Sequence, residues 1–403
     1  MKKFLAVLIL TMCSIVSVSA WDDAGHKITA YIAWQRMSPE AREAAIKILL
    51  AAPEDSDLSV FYLQDSRSDA AKKLELFMIA ATWADIVRDR KFDVRYKKYH
   101  KGNWHYSDYF WKQNGNKAEI VEHSEDGGKA LEKLVEFDKV LRDSSASDAD
   151  KAIALAWILH LGGDIHQPLH TSGRITDVEP KGDQGGNLFL ITPKDAKPSD
   201  NLHWYWDSIL GRNIPRQNDA CDADYLFPIA AAMMKQYPFA KMQSSLAVTN
   251  FEEWKKESFA YNPTDVFTPD LKRNQMPSEK YKKNALRVSE KQLTMAGYRL
   301  GELLNGIFSK KTASVNVDEN NLPCKIIRRA EYPITKTRPK NPKYEISLLN
   351  FCHDPDDIQA RPMYPMMVNG EMIMRPYSIE RIFKTEKEAR EFAAKNGITD
   401  VSF

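Results

Sequence analysis

The chain has 403 residues, of which 28% are charged and 43% apolar, with a formal net charge of +2. That length buries a sizeable core without disulfide staples, and that composition excludes a disordered or collagen-like chain. The near-neutral balance excludes strong non-specific attraction of the whole surface for polyanions, so any affinity for phosphate has to be local.

Lys2 and Lys3 open the chain, Phe4 to Val16 is an apolar run, and Val18-Ser19-Ala20 is a small-residue cleavage pattern. This is the layout of a secretory signal peptide over residues 1–20. The run is short for a membrane span, and Met12 is too bulky for a lipoprotein site at Cys13. Cleavage before Trp21 leaves 55 basic and 55 acidic side chains and a mature protein without a membrane anchor. The absence of any permitted Asn-x-Ser/Thr acceptor, with the lysine-started leader, points to a bacterial periplasm or secretion.

Residues 21 to about 308 read as mostly helical. The spacing predicts a first helix over 28–36. Ser38-Pro39-Glu40 places a cap and a first-turn proline before a second helix that runs to Leu50. Further helices are expected over 125–143 and 148–162. Leu293, Ala296, Leu300, Leu303, Leu304 and Ile307 give 280–308 the period of a long amphipathic helix. Gly- and Pro-bearing loops are expected at 171–187 and 262–278. After Lys311 the chain turns Pro-rich, with β-branched runs at 324–327 and 344–349 and a charged helical pattern near 385–395. The expected fold class is mainly α: a multi-helix domain over 21–311, then a small α+β C-terminal module over 312–403. Acidic and basic residues nearly balance in that module, and no site is visible in it.

Three cysteines survive maturation, too few for a disulfide framework and without zinc-ribbon spacing. Export permits a Cys324–Cys352 bridge, which leaves Cys221 as a buried structural residue. The histidines are more informative. His160 and Asp164 are four apart, and so are His203 and Asp207. On a helix this puts both side chains on one face, one turn apart, a natural claw for a borderline cation such as zinc. An exposed His–Asp ion pair is the plainer reading of either pair alone. Two pairs in one helical chain, joined by His170 and a glycine-rich loop, favour metal. His166 points away from the claw face and is expected in the core or behind the ligands. His100, His123 and His353 are expected in solvent. Trp83, Trp104, Trp204 and Trp206 are expected mainly in the core, with one or two lining a cleft.

Trp21 after a cleavage site, Gly25-His26, Thr82-Trp83-Ala84-Asp85, Trp104-His105-Tyr106, the 160–170 stretch, Gln184-Gly185-Gly186-Asn187 and Asn201-Leu202-His203 to Trp206-Asp207 occur in that order. This pattern resembles the single-strand-specific, zinc-dependent nucleases of fungi, plants and bacteria, grouped with the bacterial zinc phospholipases C, over about residues 21–308. The resemblance implies a phospholipase C/nuclease-like helical fold and three Zn²⁺. Asp85, His105, His160 and Asp164 would hold one ion. His170, His203 and Asp207 would hold a second. The free α-amine and carbonyl oxygen of Trp21, with His26 and a bridging Asp164, would hold the third. Three zinc ions against three carboxylates leave a pocket cationic by about three charges on a neutral protein. Metal-activated water would then attack phosphorus in line with the leaving oxygen.

Asn187 would contact phosphate. Arg88 stands where family members commonly carry lysine, and its fork geometry differs from an ammonium; a solvated helix charge is the plainer reading of it. The loop over 171–183 is long and is expected to shape the base-binding side. The implied activity is hydrolysis of single-stranded DNA and RNA to 5′-nucleotides, with 3′-nucleotidase activity, by a monomer. A zinc phospholipase C is the main alternative, disfavoured because Asp207 stands where phospholipases tend to carry Glu. A non-enzymatic zinc-binding or adhesion protein is disfavoured because the ligand set leaves positions open for water and substrate.

Overall fold

Short polar residues begin five of the long helices, each accepting a backbone N–H that the helix itself leaves unbonded. Asp22 takes Gly25 N, Ser38 takes Ala41 N, Ser68 takes Ala71 N, Ser147 takes Asp150 N and Ser278 takes Tyr281 N. Each such cap is worth about 1 kcal/mol. In this computed structural model the described residues are 21–63, 67–217, 221–246 and 250–309, together with the backbone of strands between 327 and 383.

The first helices are α1 (Asp23–Arg36), α2 (Pro39–Leu50), α3 (Asp69–Ile86) and α4 (Asp93–Tyr99). Strands β1 (Tyr109–Asn114) and β2 (Lys117–Ile120) follow, then α5 (Ala130–Arg142), α6 (Asp148–Asp164) and β3 (Ser172–Arg174). The rest of the domain is α7 (Leu202–Asp207), α8 (Ile209–Asn213), α9 (Asp222–Gln236), α10 (Phe239–Leu246), α11 (Phe251–Phe259) and α12 (Glu279–Phe308). The protein is mainly α, as its sequence predicts.

Helix α6 is the axle. From Ala154 to Asp164 every residue is buried, and α1, α2, α3, α5 and α12 all pack on it. A helix apolar on all sides is one enclosed by others. Trp83 and Trp157 meet edge to face beside it, with ring centroids 6.3 Å apart, and each large side chain so buried contributes about 1.5–3 kcal/mol. Helices α1 and α12 approach closely because Gly297 has no side chain. A Cβ there would lie 2.6 Å from Ile32 Cβ.

Three details depart from the sequence reading. Helix α1 starts five residues earlier than expected, so His26 lies on a capped helix instead of ahead of one. Helix α5 starts at Ala130, not near 125, because Gly128 turns there at φ 79°, with a Cβ site only 2.3 Å from Tyr106 O. The 171–187 stretch is not all loop, since β3 pairs parallel with β1, Phe110 opposite Gly173. Strand β2 completes this small sheet on the other side of β1.

Among the C-terminal strands, β4 (Ile327–Ala330), β5 (Thr335–Lys336) and β9 (Ile379–Phe383) pair antiparallel with β6 (Tyr344–Phe351). The strands β7 (Tyr364–Val368) and β8 (Glu371–Arg375) form a hairpin. The leader, His353, the expected 385–395 helix and the Cys324–Cys352 pair lie outside the described residues. Cys221 is exposed at the start of α9, its thiol 3.2 Å from Asp224 Oδ2, and is not the buried residue expected. Among the described residues no helix is long and apolar enough to cross a membrane.

Candidate active site

The last turn of α6 carries His160 and Asp164 on one face, and three other elements bring side chains to it. Asp164 Oδ2 is 3.3 Å from His160 Nε2 and 3.5 Å from His105 Nδ1. Asp164 Oδ1 faces the other way, 3.3 Å from His26 Nε2 on α1. Asp85, at the end of α3, has Oδ1 3.9 Å from both His105 Nδ1 and His160 Nε2. The rings of His26 and His160 stack at 3.9 Å. A second group forms where a 3₁₀ turn over Pro168–Thr171 meets α7. His203 Nε2 is 3.3 Å from Asp207 Oδ2, and His170 Nε2 is 3.6 Å from Asp207 Oδ1. A cation bound at about 2.0–2.2 Å by tetrahedral ligands sets those ligands about 3.3–3.6 Å apart.

The tautomers are fixed from behind. His160 Nδ1 donates to Ala81 O, His170 Nδ1 to His105 O and His203 Nδ1 to Gly185 O, each at 2.7 Å. Each bond leaves Nε2 as a lone pair facing the group, which is how backbone carbonyls orient metal-holding imidazoles. On the carboxylate side, Gln167 Nε2 donates to Asp207 Oδ1 at 2.7 Å.

These groups fit a bound cation on a direct test. His26 Nε2, both Asp164 oxygens and Asp207 Oδ2 are buried atoms with no hydrogen-bond partner. Native interiors leave few such atoms unsatisfied. Burial, then repulsion from Asp85 and Asp207, pushes the Asp164 carboxyl well above its ordinary range. Burial pushes Asp207 up to about 8. Burial holds His26 and His105 well below the usual imidazole value and His160 at about 3. Neutral imidazoles and uncompensated carboxylates are a donor set short of positive charge. Among the described residues three groups can hold a metal: His26, Asp85 and His160; His105, His160 and Asp164; His170, His203 and Asp207.

Beside the second group lies a cavity of about 720 Å³, with His203 and Asn187 at one side and Tyr106, Asp108 and Phe110 along another. Residues 178–182 of the long loop line it. Arg88 is not a solvated charge, since its guanidinium is mostly buried, 3.1 Å from Asp85 Oδ1. Trp21 is fully buried, and its indole Nε1 donates to Gly163 O at 3.0 Å, one residue before Asp164. The next residue, Asp22, gives its N–H to Asp207 O at 3.0 Å.

His166 sits in the core as expected, with Nδ1 on Gly162 O and Nε2 2.9 Å from Arg299. Trp83 and Trp206 are core residues, Trp104 is half-buried and Trp204 is exposed. His123 is not simply solvated: it stacks on Phe110 at 4.6 Å and meets Pro180 O. His100 is half-buried on Tyr96. Sequence reasoning passed over Gln167 and Asp183, whose work is to hold other groups. Their only signal is position, immediately beside His166 and immediately before the Gln184–Asn187 turn.

Buried imidazoles and carboxylates converging beside an open cavity in a helical domain define a metal-dependent hydrolase. The S1/P1 nuclease family profile matches residues 21–309, and the chain belongs to that family of zinc-dependent hydrolytic nucleases, whose substrate is nucleic acid. Nuclease PA3 of a Penicillium species is 23% identical over 314 residues, covering 73% of this chain and 100% of that protein. Endonuclease 1 of Arabidopsis thaliana is 24% identical over 333 residues, covering 78% and 96%. Nuclease P1 of Penicillium citrinum is 25% identical over 209 residues, covering 51% and 63%.

Proposed function

We propose that the mature protein is a secreted or periplasmic three-zinc endonuclease that cuts single-stranded DNA and RNA to 5′-nucleotides and also acts as a 3′-nucleotidase. Asp85, His105, His160 and Asp164 hold the first ion, and His170, His203 and Asp207 the second. His26, Asp164 and the α-amine and carbonyl oxygen of Trp21 hold the third, once the leader has been removed. The observation that carries this reading is the two-sided carboxylate of Asp164, one oxygen toward His26 and the other toward His105 and His160. Bound zinc supplies the Lewis acidity that makes water a nucleophile near neutral pH.

The chain's own residues do the rest. Asn187 and Arg88 contact the phosphate from two sides, and Arg88 offsets charge that builds on its oxygens. The cavity takes the nucleoside, with Tyr106 and Phe110 offering ring surfaces. A base enters it only when unpaired, which is the physical source of a single-strand preference. Residues 312–403 form a separate module.

The test is elemental analysis of the correctly processed protein, together with release of acid-soluble nucleotides from denatured DNA. The reading requires about three zinc ions per chain and release that stops on chelation. Hydrolysis of phosphatidylcholine with inert DNA overturns it.

A further inference from the structure

The backbone from Gln184 to Gly186 stays left-handed for three residues in a row, at φ 54°, 61° and 80°. Gln184 has a Cβ, for which this region costs about 1 kcal/mol or more, so the turn does not persist on its own preference. Its outputs are two. Gly185 offers its carbonyl to His203 Nδ1 at 2.7 Å, and Asn187 is fastened inside the turn by Nδ2 to Gln184 O at 2.8 Å. Gly185 is a close fit in its place, since a Cβ there would be 2.5 Å from Leu169 O and 3.1 Å from His203 Nδ1.

Asp183 stands at the mouth of this turn and is fully buried. Its Oδ1 accepts Arg174 N at 3.0 Å, and its Oδ2 lies 3.6 Å from Arg174 Nε. Its backbone completes the frame, with N–H to Arg174 O at 2.9 Å and C=O from Leu188 N at 3.2 Å. The carboxylate thus ties strand β3 to the residue that opens the turn, and the backbone ties that residue across to Leu188. Burying it has a cost, visible as a carboxyl pushed up to about 6 by burial despite the nearby Arg174 guanidinium.

We propose that Asp183 is a positioning residue for the catalytic centre: by holding Arg174 N with its side chain and Leu188 N with its carbonyl it braces one left-handed turn that sets both the His203 imidazole and the Asn187 amide. Metal retention at the second group and phosphate contact are therefore coupled through a residue that touches neither metal nor substrate. This rests on the roles given above to His203 and Asn187.

The experiment uses the full processed chain, zinc-loaded, as wild type, Asp183→Asn, Asp183→Ala and Asn187→Ala. Zinc per chain is measured after dialysis against a graded chelator, and kcat and KM are measured on a dinucleotide. Asp183→Ala is expected to weaken retention of one zinc and raise KM, each by about ten- to a hundredfold. Asp183→Asn keeps one acceptor oxygen and falls between it and wild type in both readouts. Asn187→Ala raises KM with zinc retention unchanged. Circular dichroism checks that the helices persist, and if Asp183→Ala does not fold, Asp183→Asn carries the same comparison. Wild-type zinc retention and KM in the Asp183 variants, or a change in only one of the two, overturns the proposal. A wild-type chain that holds no zinc or leaves the dinucleotide intact overturns the underlying functional reading instead.

Discussion

The two His/Asp groups flanking the cavity side of the domain are built in opposite ways. The group around Asp164 sits on long helices: His160 and Asp164 end a 17-residue helix, Asp85 ends an 18-residue one and His26 rides on α1. Core packing holds it. The group around Asp207 sits on a 3₁₀ turn and a six-residue helix, and it is held by a hydrogen bond from Gln167 and by bonds its imidazoles donate to the Gly185 and His105 carbonyls. A rigid centre thus stands beside one whose geometry depends on a few polar contacts, and the softer of the two, through His203, lines the cavity.

That contrast can be broken or sharpened by experiment. The largest effect is expected from Asp164→Asn, which keeps shape but removes the charge facing both His26 and His105. Its kcat/KM on denatured DNA should fall by on the order of 10³-fold, with fewer zinc ions found by elemental analysis. A few residues fused ahead of Trp21 convert its amine to an amide. Activity should then drop by about 100-fold or more with an unchanged circular dichroism spectrum, and full activity would remove the terminal amine from the ligand set. Gln167→Leu attacks only the soft centre. Zinc should then be lost in a chelator titration at a roughly 10- to 100-fold lower chelator concentration for one ion alone; loss of every ion together would mean the centres are not independent. Gly297→Ala attacks only the packing. A Cβ 2.6 Å from Ile32 should lower unfolding stability by about 1–3 kcal/mol while the zinc count holds.

The smallest effect concerns pH. In metal-free protein Asp207 titrates near 8 and Asp164 is also raised, so the folded state binds protons that the unfolded chain has already released. Stability then falls by about 1–2 kcal/mol between about pH 7.5 and 9. The neutral buried histidines oppose this fall below about 7.5, where the unfolded chain takes up protons. Zinc-loaded protein, its carboxylates already ionised, should show no such fall in thermal melts.

The same contrast explains what the sequence discloses. His160 with Asp164 and His203 with Asp207 are legible because helical period alone aligns residues four apart. The capped start at Ser38, the helix over 148–162 and the 30-residue α12 are legible for the same reason: their causes are local. The parallel pairing of β1 with β3 is not, because Phe110 and Gly173 are far apart in the chain and their strands are short. Gln167 and Asp183 stay hidden because a glutamine or aspartate that props up another side chain carries no spacing signature of its own. Cys221 was misplaced because a lone cysteine's burial depends on which helix face it reaches. The surroundings of His100 and His123 misled because charged neighbours in sequence say little about which ring lies alongside.

The buried indole of Trp21 has a consequence for the lifetime of the enzyme. In the mature chain proposed above, the first residue clasps Gly163 and the second clasps Asp207. An exopeptidase that removes one amino acid would take away that clasp and the terminal donor together. The helices would stand, the cavity would stay open, and the protein would be silenced by the smallest trim a protease can make.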